Sequence, residues 1–447
     1  MNRSDLTFYL VGLRHGFNFK KMMDFVNENQ YWSKDQIYDY QLRHLRKLVR
    51  HAYANVPYYR NMMQTKGMHP DDVKSLDDLS HFPVISKKEI LDNYSDFLAR
   101  DFERYHPWEK TTGGTTGVPL KYYNDTKSWG LYWATKIRAF QWGGYRLGKD
   151  ELVILKGGTI LAGDGEYRFK TKVWRWIQKN YTVPIINMTD ETMSMYAKNV
   201  KRKKIKYMRG FPSAIYTFAR WAKENNVYFK LNRIFTTAEM LLPHQRALIE
   251  EVFGCNIIDT YGCGDGMAGA SQCNLSDKFH MNIETSIMEL LNSDYTNKAA
   301  PGETGEIVVT ALHDYAMPFI RYAPGDQAIV SEEQCTCGIT LPTLDKIIGR
   351  TSDVFYLPNG RVLNGISIAF DIWTDKIRKW QLIHEKPTLI IAKLMVTEAY
   401  NREDEQTLIN LLRANAGEGI DIEIQVVDDI PLTKAGKHKF VISKVEC

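Results

Sequence analysis

The feature that most constrains the fold of this chain is a regular alternation of apolar strand-like runs and helix-like stretches over residues 152–262. Residues 152–155 form a short, continuous apolar run, whereas residues 242–253 repeat apolar side chains at helical spacing. Parallel strands need long crossover connections, usually helices, so this alternation predicts a largely parallel sheet. Ligands bind such sheets at the carboxyl ends of the strands. The polar turns at 236–239 and 259–266 are therefore the first candidates for a binding site.

The two ends of the chain have a different pattern. Residues 1–105 predict helices, the clearest of them over 38–53, where apolar side chains recur every three to four positions. From about residue 281 onward, strands without long helices predict antiparallel sheet, and they are Ile287–Leu290, Gly305–Thr310 and Phe319–Tyr322. The end of the chain predicts a strand over 385–396, a helix over 403–416 and a strand over 420–427.

We therefore predict an α/β fold with two domains. The first is a large N-terminal α/β domain over residues 1–348, with a helical part at about 1–105, a parallel sheet and a β-rich subdomain. The second is a small C-terminal α+β domain over residues 349–447. The predicted linker between them is Gly349–Asp353, where small and polar residues interrupt the strand pattern.

Composition excludes several classes of protein. The chain carries 58 basic and 53 acidic residues, and a net charge of +5 over 447 residues does not indicate nucleic-acid binding. No apolar run is long enough for a transmembrane segment, and the N-terminus lacks the pattern of a signal peptide. The six cysteines of such a chain are not expected to form a disulfide framework. We therefore expect a cytoplasmic location.

One loop suits the binding of a polyphosphate. Thr111–Leu120 packs four threonines and three glycines into its first seven residues. Glycine permits close backbone approach, threonine hydroxyls are donors, and exposed backbone N–H groups can form an anion-binding nest. The loop is not a P-loop, because no Lys-Ser or Lys-Thr follows its last glycine. On its own, the pattern leaves an ordinary surface turn equally open.

Five stretches, taken in order, resemble the adenylate-forming (AMP-producing) ligase superfamily, and within it the phenylacetate–CoA ligase and capsule-biosynthesis CapK-like branch. They are Thr111–Leu120, Thr237–Glu239, Tyr261–Asp265, Arg321–Asp326 and Pro431–Lys437. The resemblance covers nearly the whole chain and includes the N-terminal segment Arg50–Arg60. It implies an AMP-forming carboxylate ligase that uses ATP and Mg²⁺.

The resemblance also implies a role for each matching residue. The nucleotide-binding positions would be Thr112, Gly114, Thr115, Thr116 and Gly117 in the phosphate loop, Ala238 and Glu239 beside adenine, Tyr261 and Gly262 in the tyrosine motif, Asp326 on the ribose, and Arg350 on ribose or phosphate. Asp265 would help to hold Mg²⁺, and Asp353 would be the hinge of a mobile C-terminal lid. Lys437 would bridge the substrate carboxylate and the α-phosphate, with Lys434 as its rival for the catalytic role.

The implied reaction has two steps and an open acceptor. An acid and Mg·ATP would give acyl-AMP and pyrophosphate, and an acceptor would then displace AMP. A CoA thiol is the acceptor that the family implies by default. An amine is the alternative, in a CapK-type ligase that forms an amide on a sugar acid or amino acid in capsule or O-antigen biosynthesis. The partners are thus a small carboxylic acid and a thiol or amine, and the sequence leaves a homodimer open.

Three positions depart from the family pattern. Gly113 stands where a hydroxyl is usual, Val118 where a lysine is usual, and Asp265 where glutamate is usual. Fewer direct phosphate ligands would slow adenylation. These departures therefore keep a different class of protein open, a non-catalytic scaffold that binds nucleotide or zinc.

Four of the chain's cysteine and histidine residues form a second constellation, made of Cys273, His280, Cys335 and Cys337. Three thiolates and one imidazole make a closed tetrahedral Zn²⁺ site of the structural type. The wide spacing between the two halves does not fit a zinc finger, so such a site would join two distant strands. Some members of the resembling family have similar residues at these positions. The alternative is reduced cysteines beside a hydrogen-bonded histidine.

Overall fold

The computed structural model describes residues 3–112, 120–156, 165–184, 188–350, 354–359, 362–364, 376–432 and 438–445. Its α-helices are Arg3–His15 (α1), Phe19–Asn29 (α2), Lys34–Asn55 (α3), Pro57–Thr65 (α4), Lys87–Asp92 (α5), Thr126–Trp142 (α6), Gly165–Gln178 (α7), Asp190–Arg202 (α8), Pro212–Glu224 (α9), Pro243–Phe253 (α10) and Arg402–Ala416 (α11). None of the helices within these ranges is both long enough and apolar enough to cross a membrane.

The strands run from the N-terminal region to the end of the chain. They are Ile85–Ser86 (β1), Trp108–Thr111 (β2), Lys121–Asn124 (β3), Leu152–Lys156 (β4), Asn180–Pro184 (β5), Tyr207–Gly210 (β6), Arg233–Thr237 (β7), Ile257–Cys263 (β8), Ala268–Gln272 (β9), Phe279–Met281 (β10), Ser286–Leu291 (β11), Thr304–Ala311 (β12), Tyr322–Ala323 (β13), Asp326–Val330 (β14), Thr343–Arg350 (β15), Val354–Tyr356 (β16), Val362–Asn364 (β17), Ile377–Lys386 (β18), Leu389–Val396 (β19), Asp421–Val426 (β20) and Val441–Ser443 (β21). They form one large sheet and three smaller ones.

The parallel half of the large sheet has the order β5-β4-β6-β7-β8, and every neighbouring pair in it is parallel. Successive side chains point to opposite faces, so that Ile234 packs against α8, α9 and α10 while Phe235 packs against α2 and α6. Both faces are therefore covered by helices, which explains the continuous apolar run of β4. The predicted α/β class and its largely parallel sheet are confirmed.

The sheet continues from β8 through antiparallel strands in the order β9-β10-β15-β14-β12-β13, with β11 beside β12. One predicted strand, Phe319–Tyr322, is wrong in its first three residues, because the strand begins only at Tyr322. Arg321 has a φ of +55°, which breaks an extended backbone. Side chains satisfy the backbone there instead, since Ile320 N–H donates to the Tyr59 hydroxyl and Arg321 N–H to the Thr310 hydroxyl.

The C-terminal part of the chain forms a four-stranded sheet in the order β20-β19-β18-β21, covered by α11. The predicted single strand over 385–396 is wrong, because it divides into the end of β18 and the whole of β19. Lys386 pairs with Leu389 across a tight turn at Pro387 and Thr388. Proline cannot donate to a ladder, and it favours a turn here. The predicted helix and last strand correspond to α11 and β20.

A buried ion pair joins the N-terminal helices to the large sheet. The guanidinium of Arg138 in α6 binds the carboxylate of Glu284, and both side chains have no exposed surface. Arg138 also donates to the Val26 carbonyl at 2.9 Å, to Asn29 Oδ1 at 3.1 Å and to Asn282 Oδ1 at 3.3 Å. These hydrogen bonds occupy both terminal nitrogens of the guanidinium, and such bonds make a buried pair of charges tolerable.

We expect Glu284→Gln to destabilise the protein by about 3–5 kcal/mol, because it leaves the Arg138 charge buried without its counter-charge. Urea unfolding at neutral pH measures this change. Arg138→Met combined with Glu284→Gln should recover part of the loss, since no unpaired charge remains. Lys88→Met is the control, because it removes an exposed pair with Asp92 and should change the stability little. A Glu284→Gln protein as stable as the wild type would contradict this account.

Candidate functional site

The carboxyl ends of the parallel strands β6, β7 and β8 meet at one edge of the large sheet. β7 ends at Thr237, and the next residue, Ala238, has a φ of +70°. A residue other than glycine rarely adopts this left-handed conformation, and backbone strain of this kind concentrates at functional sites. The turn directs Glu239 back across the edge of the sheet. It is the segment for which the sequence predicts a contact with adenine.

Glu239 joins two distant parts of the chain. Its Oε2 accepts a hydrogen bond of 3.1 Å from the backbone N–H of Ser213, in the first turn of α9. Its Oε1 accepts a hydrogen bond of 2.9 Å from the backbone N–H of His438. A carboxylate is stabilised at the N-terminus of a helix by the free N–H groups there. Glu239 therefore holds the segment that follows Lys437 against the strand edge.

Two further carboxylates lie at the same edge. The Tyr261 hydroxyl donates to Asp326 Oδ2 at 2.7 Å, and the Tyr322 hydroxyl donates to Asp265 Oδ2 at 2.9 Å. The Cys263 thiol donates to Asp265 Oδ1 at 3.1 Å, and burial raises the pKa of this thiol well above its usual value. Cys263 is thus a protonated packing residue. The predicted site residues Tyr261, Asp326 and Asp265 lie close together.

Pairing between β14 and β15 places Asp326 directly opposite Arg350. Gly262 allows the backbone to approach α6, because a Cβ there would lie 2.9 Å from the Tyr132 hydroxyl. A larger residue at this position would therefore push against the buried Tyr132 side chain, and glycine avoids this contact.

The phosphate-loop segment is only partly described. Its flanking strands β2 and β3 pair as a hairpin, and Thr112 closes the base, since its hydroxyl accepts from Leu120 N–H at 2.9 Å. Several predicted site residues lie outside the described residues, and they are Gly114, Thr115, Thr116, Gly117, Asp353 and Lys437. Their roles, like those of the described site residues, stay predictions.

The predicted metal constellation converges in space. One ligand atom from each of Cys273, His280, Cys335 and Cys337 lies within 4.8 Å of all the others. The Cys273 and Cys335 sulfurs are 3.7 Å apart, and Cys337 Sγ lies 3.4 Å from His280 Nε2. With Zn–S bonds of about 2.3 Å and a Zn–N bond of about 2.0 Å, a tetrahedron requires an S–S separation of about 3.8 Å and an S–N separation of about 3.5 Å. The four side chains therefore fit a tetrahedral Zn²⁺ ion.

Chemistry and position also fit a structural metal. His280 has no exposed surface, and burial lowers the pKa of its imidazole to about 4, so that it is neutral and has a lone pair to offer. Cys273 follows β9 and His280 lies in β10, whereas Cys335 and Cys337 lie between β14 and β15. A metal here would join two turns at one end of the antiparallel half. It would not lie among the carboxylates of the strand edge.

Two cations near the site were not predicted. Lys136 in α6 and Arg209 in β6 border a small cavity beside Tyr261. Arg209 stands in an otherwise apolar strand, and Lys136 shares a helical face with Tyr132 and Phe140, four residues away on either side. A charge within an apolar pattern was the signal that could have identified both residues. The link between Glu239 and His438 had no such signal, because it depends on a backbone donor far away in the chain.

Known proteins resemble the chain in sequence. Residues 356–444 match the CapK C-terminal domain family. Phenylacetate-coenzyme A ligase of Aromatoleum evansii is 28% identical over 334 residues, which are 73% of each chain. Protein CapK of Staphylococcus aureus is 21% identical over 435 residues, which are 92% of this chain and 90% of that one. The resemblance to adenylate-forming ligases of the phenylacetate–CoA ligase and CapK-like branch is confirmed.

Solved structures agree on the fold. A 2-hydroxyisobutyryl-CoA ligase, solved in the postadenylation state with R3-HIB-AMP, has a TM-score of 0.71 at 17% identity and covers 93% of this chain and 92% of its own. The same enzyme with 2-HIB-AMP and CoA in the thioesterification state gives a TM-score of 0.61 at 19% identity, covering 93% of this chain and 91% of its own. The predicted architecture, a mixed α/β body with a small C-terminal sheet domain, is that of this fold.

Proposed function

We propose that this chain, a relative of the phenylacetate–CoA ligases and of protein CapK, activates a carboxylic acid with ATP and transfers the acyl group to an acceptor. The observation that carries the proposal is the bridging role of Glu239, which binds Ser213 N–H at the strand edge and His438 N–H next to Lys437. This bridge supports a site in which Lys437 acts beside the hydrogen-bonded pair of Tyr261 and Asp326.

In the first step, a carboxylate oxygen of the acid attacks the α-phosphorus of ATP. The bond from that phosphorus to the bridging oxygen breaks, and pyrophosphate leaves with the electron pair. Lys437 places a positive charge where the two anions meet, which lowers the barrier without a general base. Asp326 would accept from the ribose hydroxyls, with Arg350 opposite it. Ala238 and Glu239 would contact adenine, and Thr112, Gly114, Thr115, Thr116 and Gly117 would bind the departing phosphates.

Mg²⁺ would neutralise the phosphates, and Asp265 is the residue proposed to help hold it. Both carboxylate oxygens of Asp265 already accept one hydrogen bond each, from Cys263 and from Tyr322. An ionised carboxylate has about four lone-pair directions, so each oxygen keeps one for a metal ion or its water. The shorter side chain at this position therefore remains compatible with the proposed role.

The C-terminal residues 349–447 are proposed to form a lid that turns about Asp353 and delivers Lys437. In the second step, a nucleophile attacks the acyl carbon, and AMP leaves as the acyl–phosphate oxygen bond breaks. CoA is the acceptor we propose first, which gives a thioester. An amine is the second candidate, as in the CapK-type reaction that the family resemblance implies, and it would give an amide. The cluster of three cysteines and His280 is proposed to hold a structural Zn²⁺.

A screen of carboxylic acids tests the proposed function. We expect acid-dependent ATP–pyrophosphate exchange with at least one acid, and AMP release that rises when CoA or an amine is added. CoA and a panel of amines, each tested separately, distinguish the two acceptors. Nucleotide binding without exchange for any acid would contradict the proposal and favour a non-catalytic scaffold. Hydrolysis of ATP to ADP would contradict it as well.

A further inference from the structure

A cavity between α6 and the parallel sheet extends to the backbone of the tyrosine motif. Its lining residues are Lys136, Ala139, Phe140, Arg209, Thr260, Tyr261, Ser271 and Asn282. It meets the motif at Gly262, where a built Cβ would lie 3.8 Å from Lys136 Nζ. The cavity therefore lies beneath the strand edge where the acid is proposed to react, and its walls combine hydroxyl and amide groups with two cations.

The two cations in this cavity have aromatic neighbours and no acidic partner among the described residues. Within the described ranges, no acidic side chain forms an ion pair with Lys136 or Arg209, and the Nε of Arg209 is buried without a hydrogen-bond partner. Their neighbours are aromatic, with Lys136 Nζ 4.2 Å from the centre of the Tyr132 ring and the Arg209 guanidinium 5.5 Å from that of Phe140. Rings attract cations only weakly.

The mutual repulsion of the two cations is costly to the unliganded protein. Burial lowers the pKa of Lys136 to about 7, and the charge of Arg209 lowers it further. Burial also lowers the pKa of Arg209. A charge that is largely removed from water destabilises the folded state unless it is paired or loses its proton, and with a pKa of about 7 Lys136 is only about half protonated at neutral pH in the unliganded protein. Two such cations facing one cavity therefore indicate an anionic ligand group, since an anion would lie between them and satisfy the free donors.

The reacting carboxylate cannot be the anionic group that pairs with Lys136 and Arg209. It loses its charge when it joins the α-phosphate, so it would leave the two cations unpaired at the acyl-adenylate stage. We infer that the acyl substrate carries a second anionic group, in the simplest case a second carboxylate, that binds between Lys136 and Arg209. This inference rests on the proposed function and specifies its substrate class. A plain phenyl ring at this position would leave both charges unpaired.

The size of the cavity sets a condition on binding. Its volume is about 10 Å³, close to the room that one water molecule needs. A carboxylate therefore requires one flexible lining group to move. Lys136 is the group best suited to do so, because within the described part of the chain its ammonium contacts a ring and not a carboxylate, and its four methylene groups allow the head to turn.

Matched pairs of acids test the inference through ATP–pyrophosphate exchange. The pairs are butyrate with succinate, hexanoate with adipate, and phenylacetate with 4-carboxyphenylacetate. We expect at least one diacid to exceed its monoacid partner about tenfold or more in kcat/KM, the effect of one hydrogen-bonded charge. Lys136→Met and Arg209→Met should each lower the ratio of diacid to monoacid kcat/KM to about one, mainly by raising KM for the diacid.

Controls separate this inference from the proposed function. Lys149→Met removes an exposed lysine and should leave the diacid preference intact. Lys136→Met should not lower the melting temperature of the unliganded protein, because it removes the repulsion between Lys136 and Arg209. A variant that melts well below the wild type is therefore recognised as misfolded. Exchange with monoacids but no preference for any diacid would overturn this inference and leave the proposed function standing. A diacid preference that is unchanged in both variants would do the same. No exchange with any acid overturns the proposed function and this inference with it.

Discussion

Replacing Lys437 by alanine is expected to lower the rate of acid-dependent ATP–pyrophosphate exchange by at least about 10²–10³-fold, the usual effect of removing one group that stabilises transition-state charge. The physical reason is the approach of one anion to another. A carboxylate that attacks a phosphate meets repulsion, and the reaction adds charge to the phosphate oxygens as the new bond forms. A cation at that junction stabilises the transition state more than it stabilises the bound substrates, so the loss should appear mainly in kcat.

Lys437→Ala should act on the chemistry and leave the attachment of its segment intact. The next residue, His438, is buried, and its backbone donates to Glu239 while its imidazole contacts the Trp380 carbonyl at 2.8 Å. Burial lowers the pKa of His438 to about 4, so the ring is neutral and cannot replace the missing lysine charge at neutral pH. We therefore expect an unchanged melting temperature alongside the lost activity.

Lys434→Ala is the matched control, since it removes a neighbouring lysine from the same motif. It should retain most of the exchange activity, because only Lys437 follows the motif's glycine at the spacing that the resemblance requires. Full activity in Lys437→Ala together with loss in Lys434→Ala would reverse the assignment. Full activity in both variants would exclude a catalytic lysine in this motif.

Local sequence pattern predicted the parallel strands well. The continuous apolar run at residues 152–155 became β4, Leu152–Lys156, because a strand buried on both faces is a continuous apolar run between polar turns. The predicted helix Leu242–Phe253 became α10, and Gly254 ends it with a φ of +58°. In both cases the residues that define the element lie next to each other in the chain.

Local pattern failed where distant residues decide the backbone. Phe319 to Arg321 is apolar enough for a strand, but hydrogen bonds to Tyr59 and Thr310 hold it out of one. The turn at Pro387 was missed because strand-like residues continue on both sides of it. Proline at that position was the available signal.

The residue types of the candidate site could be predicted from the sequence, but the contacts between its distant residues could not. The motifs predicted Tyr261, Asp326 and Asp265 as site residues, and the fold places all three at one strand edge. The partners of Glu239 and the meeting of Lys136 and Arg209 at one cavity depend on where whole elements pack. Such packing cannot be predicted from a single sequence. A cation within an apolar strand, such as Arg209, indicates only that a polar site lies nearby.

Removing one ligand of the Cys/His cluster is expected to empty a zinc site and destabilise the protein. The purified chain should contain about one zinc ion, and Cys337→Ser should contain almost none, because three ligands without the fourth bind far more weakly. If zinc is present at about 1,000 times its dissociation constant, its loss should lower the unfolding free energy by about 4 kcal/mol. Elemental analysis and thermal unfolding measure these two quantities.

A comparison with chelator isolates the contribution of the metal. EDTA should lower the melting temperature of the wild type towards that of Cys337→Ser and leave the variant unchanged, because both treatments remove the same ion. Cys255→Ser is the matched control, since Cys255 is also buried but lies outside the cluster, and it should retain zinc and its response to EDTA. A wild-type protein that carries no zinc and does not respond to chelator would favour reduced cysteines beside His280. The antiparallel half of the sheet would then be held by its hydrogen-bonded ladders and apolar core alone.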